Sequence, residues 1–158
     1  MPTANSSSDF TAPLPGDAPL GPPLIGALLR IPVDMVTRRM LAALHEHGFT
    51  DMDPSLVAVF RYPGPQSLRP ADLAEQLGVS KQALNYRLGE LERLGYLERR
   101  PDPEDRRSKR VVLTERGTTA GLVMREAVRE VEAEWTELLG AKRFGQLREI
   151  LLELNRGL

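Results

Sequence analysis

A helix with one polar face, followed at once by a short arginine-rich hairpin, constrains this chain more than any other feature in it. Between Gly78 and Gly117, Ser80 is placed to cap a helix that runs to about Leu94, and Gly95 is placed to close it. Leu97 to Arg100 and Lys109 to Leu113 then form the two arms of a hairpin, joined by a turn rich in Pro and Asp. A shorter helix starting at Pro70 and ending at Gly78 precedes them. This is the order of a winged helix-turn-helix, in which one helix enters a major groove and the hairpin reaches phosphates and the neighbouring minor groove.

On a wheel of about 100° per residue, Leu88 and Leu91 fall within about 40° of Leu84 and point to a core. The opposite face collects Gln82, Asn85, Tyr86, Gly89 and Arg93. Gln82 and Asn85 are of the types that pair with adenine, and Arg93 is of the type that takes guanine or phosphate. Lys81 and Arg87 flank this face and suit phosphates, and Ser80 opens the helix beside them. A mid-helix glycine costs about 1 kcal/mol relative to alanine, and at Gly89 it lets the backbone approach a groove closely. A solvated surface helix carries the same residues, so the helix before and the hairpin after it are what favour DNA. At the hairpin tip Asp105, Arg106 and Arg107 stand ahead of Lys109 and Arg110. Asp105 is expected to hold one of the two arginines rather than face phosphate. A polar hairpin without a partner is the alternative.

The formal net charge of -1 conceals a local excess: Ser80 to Arg110 holds nine Lys or Arg against six Asp or Glu. The stretch from Glu115 to Glu137 swings acidic, which suggests a basic face on an acidic support. The absence of cysteine excludes disulfides, thiolate metal sites and thiol oxidation. With no basic leader and no apolar run of membrane-spanning length, a soluble, cytoplasmic protein that avoids membranes is expected. No phosphate-cradling glycine loop, nucleophile and base pair, or paired acids stand out, so neither enzyme activity nor a cofactor is expected. His45 and His47 are two residues apart, the wrong separation for joint metal ligation from one helical face, and suit the end of a helix. Glu126, Glu130 and Glu134 form a row that Arg125 and Arg129 accompany, as a solvated face would.

Residues 1–23 hold six of the thirteen prolines and read as a flexible arm; crossing to a partner subunit is the other use of such a segment. A helical region from about Leu24 to His47 is expected to be interrupted at Pro32, with Val33, Val36, Met40, Ala43 and Leu44 on one stripe. Asp53 and Pro54 open a short helix to Phe60. Thr114 caps a long helix to about Leu138 with a stripe of Val128, Val131, Trp135 and Leu138. A last helix, about Ala141 to Asn155, puts Leu147, Ile150, Leu151 and Leu154 on one side. The fold class is therefore mainly α (α+β).

The run from Leu68 to Gly117 resembles the MarR family of bacterial transcriptional regulators, through Leu73-Ala74, Leu77-Gly78, Ala83-Leu84, Leu91, Gly95, Asp105-Arg106-Arg107, Thr114 and Gly117. The resemblance extends over about residues 24–158. It implies a winged helix-turn-helix over 49–117 and a helical dimerisation region built from 24–48 and 118–158. It further implies a homodimer that binds an inverted repeat in duplex DNA, commonly a repressor, released in many members by a small aromatic or phenolic effector. Arg38, His47, Phe49, Phe60, Tyr62 and Trp135 are the candidates for an effector pocket by location. A protein-interaction module on the same fold is the alternative, because fold does not dictate function.

Overall fold

The computed structural model describes residues 23–60, 64, 70–102 and 109–157. The expected arm of 1–23 lies outside them except for Pro23. The chain divides into two units after Asp34. In the first, helix α1 (Ile25–Glu46) passes Pro32 without ending, contrary to the expected interruption. Proline removes the bond that its own N–H would make to the carbonyl four residues earlier and crowds that carbonyl with its ring. The neighbouring turn holds, and Arg30 donates to Asp34 across it at 3.0 Å. Leu24, Ile25, Leu28, Leu29 and Val33 are all exposed here, so Val33 does not join the core stripe expected of it.

The second unit contains the rest of α1, then α2 (Pro54–Val57), a single 3₁₀ turn (Ala58–Phe60), α3 (Pro70–Gln76) and α4 (Lys81–Arg93). The antiparallel strands β1 (Leu97–Pro101) and β2 (Lys109–Leu113) follow, and α5 (Glu115–Leu139) and α6 (Ala141–Arg156) complete it. A mainly helical chain with one small sheet is the expected class.

Three of the helix starts are set by side-chain caps readable in the sequence. Asp53 Oδ1 accepts from the Ser55 and Leu56 amides at 2.7 and 3.1 Å. Ser80 Oγ accepts from the Ala83 amide at 3.1 Å, and Thr114 Oγ1 accepts from the Gly117 amide at 3.1 Å. Each bond satisfies an amide that a helix start otherwise leaves without a partner. At its other end α4 closes through Gly95, whose φ of 79° is open to glycine at little cost. The Gly95 amide returns to the Glu92 carbonyl at 3.0 Å and the Tyr96 amide to that of Leu91 at 2.8 Å, the paired bonds of a glycine-terminated helix.

Leu84, Leu88 and Leu91 of α4 are at most 1% exposed and share one core with Met40, Leu44, Leu56, Val57, Leu73, Tyr96, Leu97, Val111 and Met124. Burying each such side chain contributes about 1.5–3 kcal/mol. On α5 the buried face is Gly117, Ala120, Met124, Ala127 and Val131. Of the expected stripe only Val131 is buried, while Val128 is half-buried and Leu138 is 79% exposed. At Gly117 a backbone carbonyl passes so close that no side chain fits, so at that position available volume rather than hydropathy decides which residue faces inward. On α6 the expected apolar side exists but is not covered: Leu147, Ile150 and Leu154 are exposed. Trp135 meets Phe144 edge-on, ring centres 6.5 Å apart, across the α5 to α6 turn.

One junction joins the wing to α5. The Thr114 amide donates to the Tyr96 carbonyl at 3.1 Å, and the Thr114 hydroxyl donates to the Gly95 carbonyl at 2.6 Å. A β-carbon on Gly117 would sit 1.8 Å from that same Tyr96 oxygen. Above it, the Tyr96 hydroxyl donates to Asp51, and Arg116 Nη2 donates to both Asp51 oxygens at 3.0 and 2.8 Å. The Arg116 guanidinium lies 4.6 Å from the Tyr96 ring centre and 5.7 Å from that of Phe49. Burial pushes the Asp51 carboxyl up, but the Tyr96 bond and the Arg116 charge together outweigh it and hold it below its ordinary range. Burial, with the bond donated to Asp51, pushes the Tyr96 phenol up.

Gly117→Ala is expected to destabilise the protein by about 3 kcal/mol, since the obstacle is backbone rather than a flexible side chain; an unchanged urea midpoint would show that the junction yields. A depressed carboxyl stabilises the fold above its unfolded value and ceases to do so as pH falls through the folded one. Asp51→Asn is therefore expected to lose about 1 kcal/mol at neutral pH, screened by solvent, and to flatten the stability loss below about pH 4. Parallel stability curves for the two proteins between pH 5 and 2 would remove Asp51 from that role.

Candidate nucleic-acid interface

With three leucines of α4 buried, the helical repeat turns Gln82, Asn85, Tyr86 and Arg93 outward, all exposed, with Tyr86 at 72%. Lys81 and Ser80 are exposed at the start of the same helix, and Arg87 is half-buried on its flank. Asp53 is held below its ordinary carboxyl range first by the Ser55 hydroxyl, with the charge of Arg87 adding a smaller contribution. A β-carbon built on Gly89 meets nothing within 4 Å, so no contact inside the chain requires glycine there.

The wing strands pair in register, Leu97 with Leu113, Arg99 with Val111, Arg100 with Arg110 and Pro101 with Lys109. Lys109 and Arg110 are exposed. Asp105, Arg106 and Arg107 lie outside the described residues, and so does the expected pairing of Asp105.

Much of the local positive charge is already neutralised. Arg93 pairs with Glu90 at 2.9 Å, Arg99 lies 3.6 Å from Glu92, and Arg100 pairs with Glu98. The bond to Glu90 raises the Arg93 pKa further, and that from Arg93 lowers the Glu90 pKa. Lys81, Lys109 and Arg110 form no ion pair among the described residues. The cations open to an anion on this face are thus fewer than a residue count suggests. The Arg93 to Glu90 pair follows from their separation of three on a helix. The Arg99 to Glu92 pair joins a strand to a helix and could be suspected only from strand alternation, which puts Arg99 on the buried side with Leu97.

The effector candidates do not assemble. His47 lines an open cleft of about 680 Å³ between α1 and α5, with Ala43, Glu46, Leu122, Val123, Glu126 and Glu130. Its Nδ1 lies 2.8 Å from the Ala43 carbonyl. Phe49 instead packs against Tyr96, ring centres 6.1 Å apart, Phe60 packs on the core, and Trp135 packs on Phe144. Arg38 is exposed and does not line the cleft, and Tyr62 lies outside the described residues. His45 bonds to the Met52 carbonyl at 3.1 Å. In the acidic row, Glu126 pairs with Arg129 at 3.0 Å and Glu134 pairs with Arg39. Among the described residues no group of three or more His, Cys, Asp or Glu is arranged to hold a metal, and no helix is long and apolar enough to cross a membrane.

A MarR family model matches residues 47–108, from the end of α1 to the wing. PecS, an HTH-type transcriptional regulator of Dickeya dadantii (strain 3937), is 29% identical over 112 residues; the match spans 70% of this chain and 66% of PecS, just under two thirds of its length. The structure is similar to that of the transcriptional repressor CouR bound to a 23-mer DNA duplex, with a TM-score of 0.60, 25% identity, and 84% of this chain and 92% of that one covered. It is also similar to the Mycobacterium tuberculosis MarR family protein Rv2887 in complex with salicylic acid, with a TM-score of 0.60, 26% identity, and 84% and 96% covered. PecS and CouR are transcription regulators. Over residues 47–108, from the end of α1 to the wing, the chain is thus similar to the MarR family of transcriptional regulators, and the described fold is similar to that of its members.

Proposed function

We propose that this protein is a sequence-specific duplex-DNA-binding regulator that reads bases with α4 and grips the backbone with the wing. The exposed face of Gln82, Asn85 and Tyr86, opposite three buried leucines, carries this reading. Gln82 and Asn85 offer paired amide contacts to adenine, and Tyr86 offers an apolar surface to a thymine methyl. Lys81, Lys109 and Arg110 supply phosphate contacts, and Arg106 and Arg107 extend them from the wing. CouR, seen on a DNA duplex, supports the assignment.

The functional unit we propose is a homodimer, with 24–48 and 118–158 as its dimerisation region, 49–117 as the DNA-binding domain and 1–23 as an arm. The uncovered apolar side chains of the first turns of α1, and separately of α6, support it. Two such readers stand about 34 Å apart on DNA and select an inverted repeat. We further propose repression, relieved when a small aromatic acid binds; Rv2887 with salicylic acid and the cleft beside His47 support this part.

Selection from a randomised duplex pool with the purified protein, repeated at two salt concentrations and with salicylate added, tests the whole reading. An inverted repeat with half-site centres about 10 base pairs apart is expected. Asn85→Ala should lose discrimination at one position per half-site, worth about 1–3 kcal/mol, and Lys109→Ala should reduce the salt slope by about one. Enrichment of no motif would overturn the reading, a lone half-site would overturn the dimer, and retention unchanged by salicylate would remove that compound as an effector. Gly89→Ala separates fold from function. With no neighbour to meet, the added methyl should stabilise the helix by about 1 kcal/mol while weakening DNA binding; a variant both more stable and equally tight would show that the groove does not approach Gly89.

A further inference from the structure

Arg99 occupies a place on the wing where an apolar residue is expected. Along β1 it shares a face with Leu97, which is 1% exposed, and it sits opposite Val111, which is 3% exposed. Its guanidinium reaches from that face to α4, where Nη2 donates to the backbone carbonyl of Asn85 at 3.2 Å. Its Nε lies 3.6 Å from Glu92 Oε2, and its backbone amide donates to Glu92 Oε1 at 3.2 Å. Asn85 and Glu92 are seven residues apart, two turns or about 10 Å along one side of the helix. Arg99 therefore meets α4 at two levels: its side chain donates to the main chain of Asn85, the residue whose amide faces outward, and at Glu92 its backbone donates while Nε, which has no hydrogen-bond partner, adds an ion pair.

We propose that Arg99 is a positioning residue of the DNA reader, clamping the wing to α4 so that Asn85 and the wing cations Lys109 and Arg110 keep one fixed spacing. This rests on the DNA-reading function proposed above. A planar guanidinium can serve a carbonyl and a carboxylate together from one rigid plane, which an ammonium cannot. The charge of Arg99 is taken up by Glu92, so Arg99 acts on the geometry of readout and not on phosphate. Discrimination between bases depends on holding paired hydrogen bonds within a fraction of an ångström, whereas backbone attraction tolerates displacement. Loosening the clamp thus lowers specificity far more than nonspecific affinity.

The full-length protein and its Arg99→Met and Arg99→Lys variants would be compared on the selected duplex and on one altered at the base position that Asn85→Ala relaxes, across a salt series, with thermal melts run alongside. Arg99→Met keeps the apolar stem and the backbone bond to Glu92 but removes the bond to Asn85 and the ion pair, and is expected to melt cooperatively and to lose about 10-fold in discrimination at that position with an unchanged salt slope. Arg99→Lys retains the charge but reaches one anchor at a time, and is expected to fall between the two. Should Arg99→Met fold poorly, the lysine variant carries the comparison alone. A salt slope reduced by about one with discrimination intact would make Arg99 a phosphate ligand and overturn the clamp. So would discrimination at the wild-type level in both variants. Wild-type protein that distinguishes no duplex would instead overturn the DNA reading, and the clamp with it.

Discussion

The contact between the start of α5 and the Tyr96 carbonyl is the constraint on which the rest of the second unit depends. That oxygen accepts from the Thr114 amide and leaves no room for a side chain on Gly117. Tyr96 is the residue that leaves α4 and enters the wing, so one carbonyl holds together the reading helix, the hairpin and the long helix. Asp51 and Arg116 close over its ring, adding charge-assisted bonds from a loop that is distant in sequence. A small domain has few such junctions, and loss of any one removes a large share of its net stability.

The electrostatics of the exposed face of α4 and the wing follow from this geometry as well as from composition. Glu90, Glu92 and Glu98 each engage an arginine nearby, so three of the nine cations between Ser80 and Arg110 are taken up within the chain. Among the described residues, Lys81, Lys109 and Arg110 form no ion pair, and they lie at the start of α4 and on β2. In a protein of formal net charge -1, such an arrangement keeps nonspecific attraction modest and gives more weight to base contacts.

The reading helix was legible because its determinants are short-range. The Ser80 cap, the Gly95 closure and the spacing of Leu84, Leu88 and Leu91 each involve residues within a few positions of one another. The wing pairing was legible for the same reason, from alternation on either side of a turn. Pro32 does not split α1, because a helix of this length keeps enough other backbone bonds to outweigh the one lost and the crowding by the ring. The α5 stripe was only partly legible, Val131 being buried as expected, because hydropathy ranks Val, Trp and Leu above Gly and Ala, whereas at Gly117 the Tyr96 carbonyl leaves no room for any side chain.

Cap residues, glycine closures and apolar spacing act through covalent connection, so they follow from the order of residues and already define the elements, the mainly helical class and the outward face of α4. Tertiary packing alone decided that Glu92 takes up Arg99, where Arg99 anchors, and that Asp51, Tyr96 and Arg116 converge. These depend on distances between segments as far apart as Asp51 and Arg116. Such distances are set by how side-chain volumes fill a common interior, a property of the whole domain that no window along the chain contains.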